Sequence, residues 1–212
     1  MSEKPILFST EMVRKILSGE KTMTRRVVKP QPRIENRSND IYLRFGDKND
    51  CGNSYDGTGW IHPDIIEMLC PYGGVGDELY VRETFCEPRK FDDVVEIMYR
   101  ADVPDDYAKK FKWMPSIFLP KAFSRIKLRI KDIRVERLQD ISDEDIKAEG
   151  VEPKINLISV AITNQGLGPH YTEDYKTPWI ELWNSINDKR GVGWDKNPWV
   201  WVVEWDPKIE VI

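Results

Sequence analysis

The run Trp199-Val200-Trp201-Val202-Val203-Glu204-Trp205 constrains the fold more than any other segment of the chain. β-Branched and aromatic residues favour extended backbone, and successive side chains of a strand alternate between its two faces. Trp199, Trp201, Val203 and Trp205 therefore share one face, and Val200, Val202 and Glu204 share the other. Both faces are apolar for most of the length, which predicts a central strand covered on each side. The other elements must supply that cover.

A second strand is predicted over Ser124 to Lys131, where Ile126, Leu128 and Ile130 alternate with Arg125, Lys127, Arg129 and Lys131. The phase then slips, with Ile133 and Val135 continuing on odd numbers, so a bulge or strong bend is expected near Asp132. Ser9 and Thr10 can cap a helix carrying Met12, Val13, Ile16 and Leu17 at helical spacing, closed by Gly19. Lys21 to Lys29 reads as a strand that stops at Lys29-Pro30-Gln31-Pro32. Glu78 to Phe85 reads as another, with Leu79, Val81, Glu83 and Phe85 on one face and Val94 to Arg100 as its antiparallel partner. Ser142-Asp143-Glu144-Asp145 has the form of a capping box, opening a helix that ends at Gly150. A last helix starts at Thr177-Pro178 and places Trp179, Leu182, Trp183 and Ile186 on one side.

Segments 30–75 and 151–176 are loop-like and read as insertions in a single domain spanning 1–212. The predicted class is α+β: a small mixed, mostly antiparallel sheet curled into a barrel, with two or three helices. No apolar run approaches the roughly 18–20 residues that cross a bilayer. The start MSEKPILFSTEM lacks a long apolar stretch before a cleavage site, so a soluble, cytoplasmic chain is expected.

Net charge is −4, but it is segregated along the chain. Residues 21–37 and 121–137 are each +5, and everything from Leu138 onward sums to −7. Two basic strands in an acidic protein point to a local anion-binding surface rather than bulk attraction to polyanions. Arg125, Lys127 and Arg129 can track phosphates or form an ordinary solvated sheet face. Trp60 and Trp113, in loop-like text, are the candidates for stacking a base.

Several chemistries are disfavoured. Cys51, Cys70 and Cys86 are odd in number and include no CxxC pair, which speaks against a disulfide framework or a zinc site. His62 and His170 have no Ser or Asp partner pattern. Gly73-Gly74-Val75-Gly76 precedes a strand, whereas a phosphate loop opens a helix. No metal and no cofactor are expected.

The densest reactive constellation is Gly19-Glu20-Lys21-Thr22-Met23-Thr24-Arg25-Arg26. A threonine hydroxyl becomes a nucleophile when a neighbour takes its proton, and a lysine does so when burial or adjacent cations depress its pKa. Arg25 and Arg26 are such cations and can also hold a phosphate or an oxyanion. Positions i and i+3 point to opposite faces of a regular strand, so a bend is expected between Lys21 and Thr24. Glu83, on an otherwise apolar face, either pairs with a buried arginine or lines the pocket beside Lys21, with the pocket preferred.

These segments together resemble a known family. Gly19 to Arg26 after a short helix, Gly76-Asp77 before a strand, Ile141-Ser142-Asp143-Glu144-Asp145-Ile146-Lys147-Ala148-Glu149-Gly150 and the terminal aromatic strand resemble the ASCH domain over Lys4 to Asp206. The resemblance implies a barrel related to the PUA fold of RNA-binding modules. Some small members are amidohydrolases of N(4)-acetylcytidine. By that resemblance Thr24 is the nucleophile, Lys21 its activating base and Glu149 the proton donor to the departing cytosine amine. Three expectations follow: binding of RNA or a modified nucleoside in a basic cleft, amide hydrolysis through Lys21, Thr24 and Glu149, or a non-catalytic protein-interaction role.

Overall fold

The computed structural model describes residues 2–37, 40–44, 69–87, 89–91, 94–163, 166–206 and 210–211. In chain order these form β1 (Glu3–Leu7), α1 (Thr10–Leu17), β2 (Met23–Val27), β3 (Arg33–Arg37), β4 (Asp40–Arg44), β5 (Glu78–Arg82), β6 (Phe85–Cys86), β7 (Arg89–Phe91), β8 (Val94–Glu96), α2 (Asp105–Ala108), β9 (Trp113–Met114), β10 (Ile126–Arg137), α3 (Asp143–Ala148), β11 (Lys154–Thr163), β12 (Gly166–Asp174), α4 (Lys176–Asn187), β13 (Trp199–Trp205) and β14 (Glu210–Val211). The class is α+β with mostly antiparallel pairing. None of the described helices is long and apolar enough to cross a membrane.

The aromatic strand β13 is central, as its two apolar faces require. It pairs antiparallel with β10 on one side and β2 on the other. The main sheet runs β1-β5-β10-β13-β2, with β14 attached to β10, and only the β1–β5 ladder is parallel. Trp201, Val203 and Trp205 pack with Ile6, Leu79, Leu128 and the buried side of α1. Val200 and Val202 pack on the opposite face with Ile146, Trp179 and Trp183 from α3 and α4. At roughly 1.5–3 kcal/mol for each fully buried large apolar side chain, β13 anchors both cores.

The phase slip in β10 is a register shift between Ile130 and Asp132. It falls where the strand changes partner: Lys127 to Arg129 run beside β5, and Asp132 to Arg137 run beside β13. Both predicted N-caps form, Ser9 accepting from the Met12 N–H at 3.4 Å and Ser142 from the Asp145 N–H at 3.1 Å. Gly19 and Gly150 follow their helices in the left-handed region, with φ of 80° and 77°.

Four readings need correction. Among the described residues no ladder joins the edge strands β1 and β2, so the sheet is open rather than a closed barrel. The edges approach at one point, where the Arg26 Nη2 donates to the Leu7 carbonyl at 2.6 Å. Val94 to Arg100 meets the predicted strand Glu78 to Phe85 only at its end, where Tyr99 bridges Phe85 antiparallel, because β1 and β10 occupy both edges of β5; β8 pairs with β7 instead. The 151–176 segment is largely the hairpin β11-β12, since its β-branched content favours strand over loop. Segment 30–75, read as an insertion, carries the hairpin β3-β4. Four helices rather than two or three are described, the extra one being the single turn α2.

Candidate functional site

Lys21 does not lie on a regular strand, which removes the difficulty of its spacing from Thr24. It sits in an isolated antiparallel bridge with Glu149, one residue beyond α3. The Lys21 N–H donates to the Lys15 carbonyl at 3.0 Å and the Thr22 N–H to the Ala148 carbonyl at 2.8 Å. Only at Met23 does the chain enter β2 beside β13. Backbone hydrogen bonds thus seat the lysine against the end of α3, and Thr24 follows on the strand.

The three residue types predicted from remote parts of the chain meet in one place. Lys21, Thr24 and Glu149 are 2%, 4% and 4% exposed and line the same cleft. The Lys21 Nζ donates to the Glu149 Oε2 at 2.7 Å, the Glu149 carbonyl at 2.8 Å and the Met23 carbonyl at 2.7 Å. An ammonium has three N–H donors, so all are engaged with these oxygens and none with Thr24. Burial lowers the Lys21 pKa below the usual lysine value; Glu149 opposes this, while Arg26 and Arg25 add to it.

Glu149 has one oxygen committed and one open. Its Oε1 is buried with no hydrogen-bond partner among the described residues, although the Arg25 Nη1 lies 3.5 Å away. Such an orphan acceptor costs about 1–3 kcal/mol unless something donates to it. Arg25 is itself held from behind: its guanidinium is bound by the carboxylates of Glu136 and Asp145, and Arg134 also reaches Asp145 at 2.8 Å. The floor of the cleft is therefore a fixed array of charges under an apolar core.

The cleft, about 390 Å³, falls within the roughly 300–1,000 Å³ of small-molecule sites. Phe8, Tyr72, Trp179 and Trp183 form aromatic walls, and Arg26, Lys29 and Arg190 also line it. Arg26 stacks on the Phe8 ring at 5.1 Å, with the Lys21 ammonium 5.7 Å from the same ring. The Arg26 Nε and Trp179 Nε1 are buried donors with no hydrogen-bond partner among the described residues. The residues that carry these two donors and the Glu149 acceptor all line the same cavity. That pattern fits a flat polar heterocycle better than an apolar ligand.

The remaining predicted residues lie elsewhere. Glu83 is 1% exposed and pairs with Arg125, whose Nε is 2.9 Å from the Glu83 Oε1; it is absent from the cleft lining. The pocket preference for Glu83 is thus corrected: a buried carboxylate takes the nearest guanidinium, on the neighbouring strand region. Burial raises the Glu83 pKa and Arg125 counters it. Burial alone would depress Arg125, but its bonds to Glu83 and Asp102 outweigh this and hold it above the ordinary value. Lys127 pairs with Glu3 at 3.1 Å and Glu78 at 3.7 Å, and exposed Arg129 stands opposite Glu78 in the ladder. The basic face of β10 is largely met by acids of β1 and β5. Trp113 donates its Nε1 to the Ala108 carbonyl at 2.8 Å and carries Arg100 on its ring, away from the cleft. Trp60 lies outside the described residues.

Sequence reasoning misses Phe8, Tyr72 and Arg190, and it takes Trp179 and Trp183 only as helix core. Their spacing of four residues is visible in the sequence, but not that their face opens onto a cavity. Among the described residues no group of three or more His, Cys, Asp or Glu is placed to hold a metal ion. Comparisons with protein-family models, curated proteins and solved structures find no match.

Proposed function

We propose that this chain is an ASCH-like amidohydrolase that removes the acyl group from an N(4)-acylated cytosine nucleoside. The observation that carries the reading is the meeting of Lys21, Thr24 and Glu149, distant in sequence, in one aromatic-walled cleft. The curled sheet, with its edges drawn together at Arg26 and Leu7, supports an arrangement of PUA type left open along that seam. The basic strand 124–137 supports RNA tracking less well, since its cations already face carboxylates.

The chemistry follows from which valences are open. The base stacks between the aromatic walls, and its amide N–H donates to the Glu149 Oε1. Lys21 first hands a proton to Glu149 across the 2.7 Å contact, and the neutral amine, turned from the Met23 carbonyl toward Thr24, takes the proton of the Thr24 hydroxyl as that oxygen attacks the acyl carbon. The Glu149 carboxyl then protonates the exocyclic nitrogen, the C–N bond breaks, and the free cytosine amine leaves an ester on Thr24. Water attacks that ester, its proton goes to Glu149 and returns through Lys21 to the Thr24 oxygen. The acid is released and all three side chains are restored. Arg25 and Arg26 stabilise the oxyanion of each tetrahedral intermediate.

A binding role without turnover uses the same cleft, and the engagement of all three Lys21 donors favours it. Incubation with N(4)-acetylcytidine, with cytidine followed by chromatography, separates the two. Turnover is expected, with kcat/KM lowered about 1,000-fold or more in Thr24→Ala while the tryptophan fluorescence of the folded chain is kept. No turnover at high protein concentration, or undiminished turnover in that variant, rejects the hydrolase.

A further inference from the structure

Among the described residues five guanidiniums have carboxylate partners. Arg14 and Arg100 share Asp105, Arg125 holds Glu83 and Asp102, and Arg25 and Arg134 share Glu136 and Asp145. At the cleft the pattern reverses. Arg26, Lys29 and Arg190 line it, and none forms an ion pair with any carboxylate among the described residues. Lys29 and Arg190 are exposed, so they stand at the mouth, while Arg26 lies deeper against Phe8.

Two further features point the same way. The Arg26 Nη2 is spent on the Leu7 carbonyl, but its buried Nε has no partner among the described residues. The first turn of α1 opens on the cleft through Ser9 and Glu11, presenting the positive end of that helix. Glu11 is the single exposed carboxylate in the lining, set against three cations. A neutral nucleoside gives three like charges nothing to bind, whereas a phosphate satisfies a guanidinium fork, an ammonium and a helix N-terminus together.

We propose that the cleft is built for a nucleotide, its phosphate held by Lys29 and Arg190 at the mouth with Arg26 deeper behind them, while the base occupies the aromatic interior. This rests on the reading of the cleft as a nucleoside site and adds the substrate class. The phosphate can be a monoester or an internal diester, and the same cations serve either.

The test compares cytidine, cytidine 5′-monophosphate and the dinucleotide cytidylyl-(3′→5′)-cytidine by calorimetry at low and high salt, with uridine and adenosine pairs alongside. Phosphorylated forms are expected to bind about 10- to 100-fold more tightly than the matching nucleoside at low salt, the gain shrinking as salt rises. The monophosphate against the dinucleotide tells monoester from diester. Arg190→Ala and Lys29→Ala, both at exposed positions, should each cut the ratio of phosphorylated to unphosphorylated affinity severalfold. Turnover of N(4)-acetylcytidine with no gain from phosphate overturns this inference and leaves the hydrolase. A phosphate gain without turnover upholds it and removes the hydrolase. Equal affinities throughout, or binding of no phosphorylated nucleoside, overturns it outright.

Discussion

Replacing Glu149 by Gln removes one charge from a pair that is almost wholly buried, and the consequence can be worked from the geometry. The side-chain amide in Glu149→Gln still offers Lys21 an acceptor oxygen, and the main-chain carbonyls of position 149 and of Met23 remain in place. What is lost is the opposing charge, leaving an ammonium at 2% exposure. Breaking a buried pair in this way costs about 3–5 kcal/mol. An independent ceiling exists, because the amine can escape by losing its proton. With an ordinary lysine pKa near 10.4, neutralisation at pH 7 costs about 4.6 kcal/mol. The sign follows from proton binding. Burial already lowers the Lys21 pKa in the folded protein, so the unfolded chain binds that proton more tightly. The penalty is full below the folded pKa and is relieved as pH rises toward 10.4. Without Glu149 to oppose burial, the folded value drops further, the penalty grows, and the window of relief extends to lower pH. The stability gap between the native protein and Glu149→Gln should therefore be largest near pH 7 and close by up to about 1.4 kcal/mol per unit through pH 9.5. Urea unfolding followed by tryptophan fluorescence at pH 7, 8, 9 and 9.5 measures it. A gap that stays constant over that range refutes the assignment of Lys21 as a buried charge held by Glu149.

Glu83→Gln should destabilise the fold by about 2 kcal/mol, since Arg125 loses its buried partner and keeps Asp102. Affinity for cleft ligands should be untouched; a loss of ligand binding with stability intact would return Glu83 to the site. Gly150→Ala forces a side chain into φ of 77°, at roughly 1–2 kcal/mol, and sets a methyl 3.2 Å from the Lys21 Cβ. Turnover should fall along with the urea midpoint, because the lysine must move; an unchanged kcat would separate Lys21 from the chemistry.

Local signals carry much of the fold. The double-sided apolarity of Trp199 to Trp205, the caps Ser9 and Ser142 and the slip near Asp132 each depend on neighbouring residues alone, and each appears in the structure. Partner choice does not depend on neighbours alone. Nothing in Val94 to Arg100 reveals that both edges of β5 are occupied, and nothing in Glu83 reveals Arg125 across the sheet. For the cleft, Lys21 and Thr24 are visible as a dense polar cluster, whereas Glu149 is reached through resemblance. Phe8, Tyr72 and Arg190 become visible only when folding draws three separate segments to one cavity. The loop-like look of 151–176 comes from its Asn, Gln and Gly content, which masks a β-branched alternation.

Arg25 gives the cleft a rear connection. Its guanidinium faces Glu149 at 3.5 Å on one side and is bound by Glu136 of β10 and Asp145 of α3 on the other. Neither Glu136 nor Asp145 belongs to the lining. A change at either retunes, through Arg25, the potential felt by the Glu149 carboxylate. The reactive floor is thus electrically coupled to two carboxylates outside the cleft, through the single guanidinium that touches both them and Glu149.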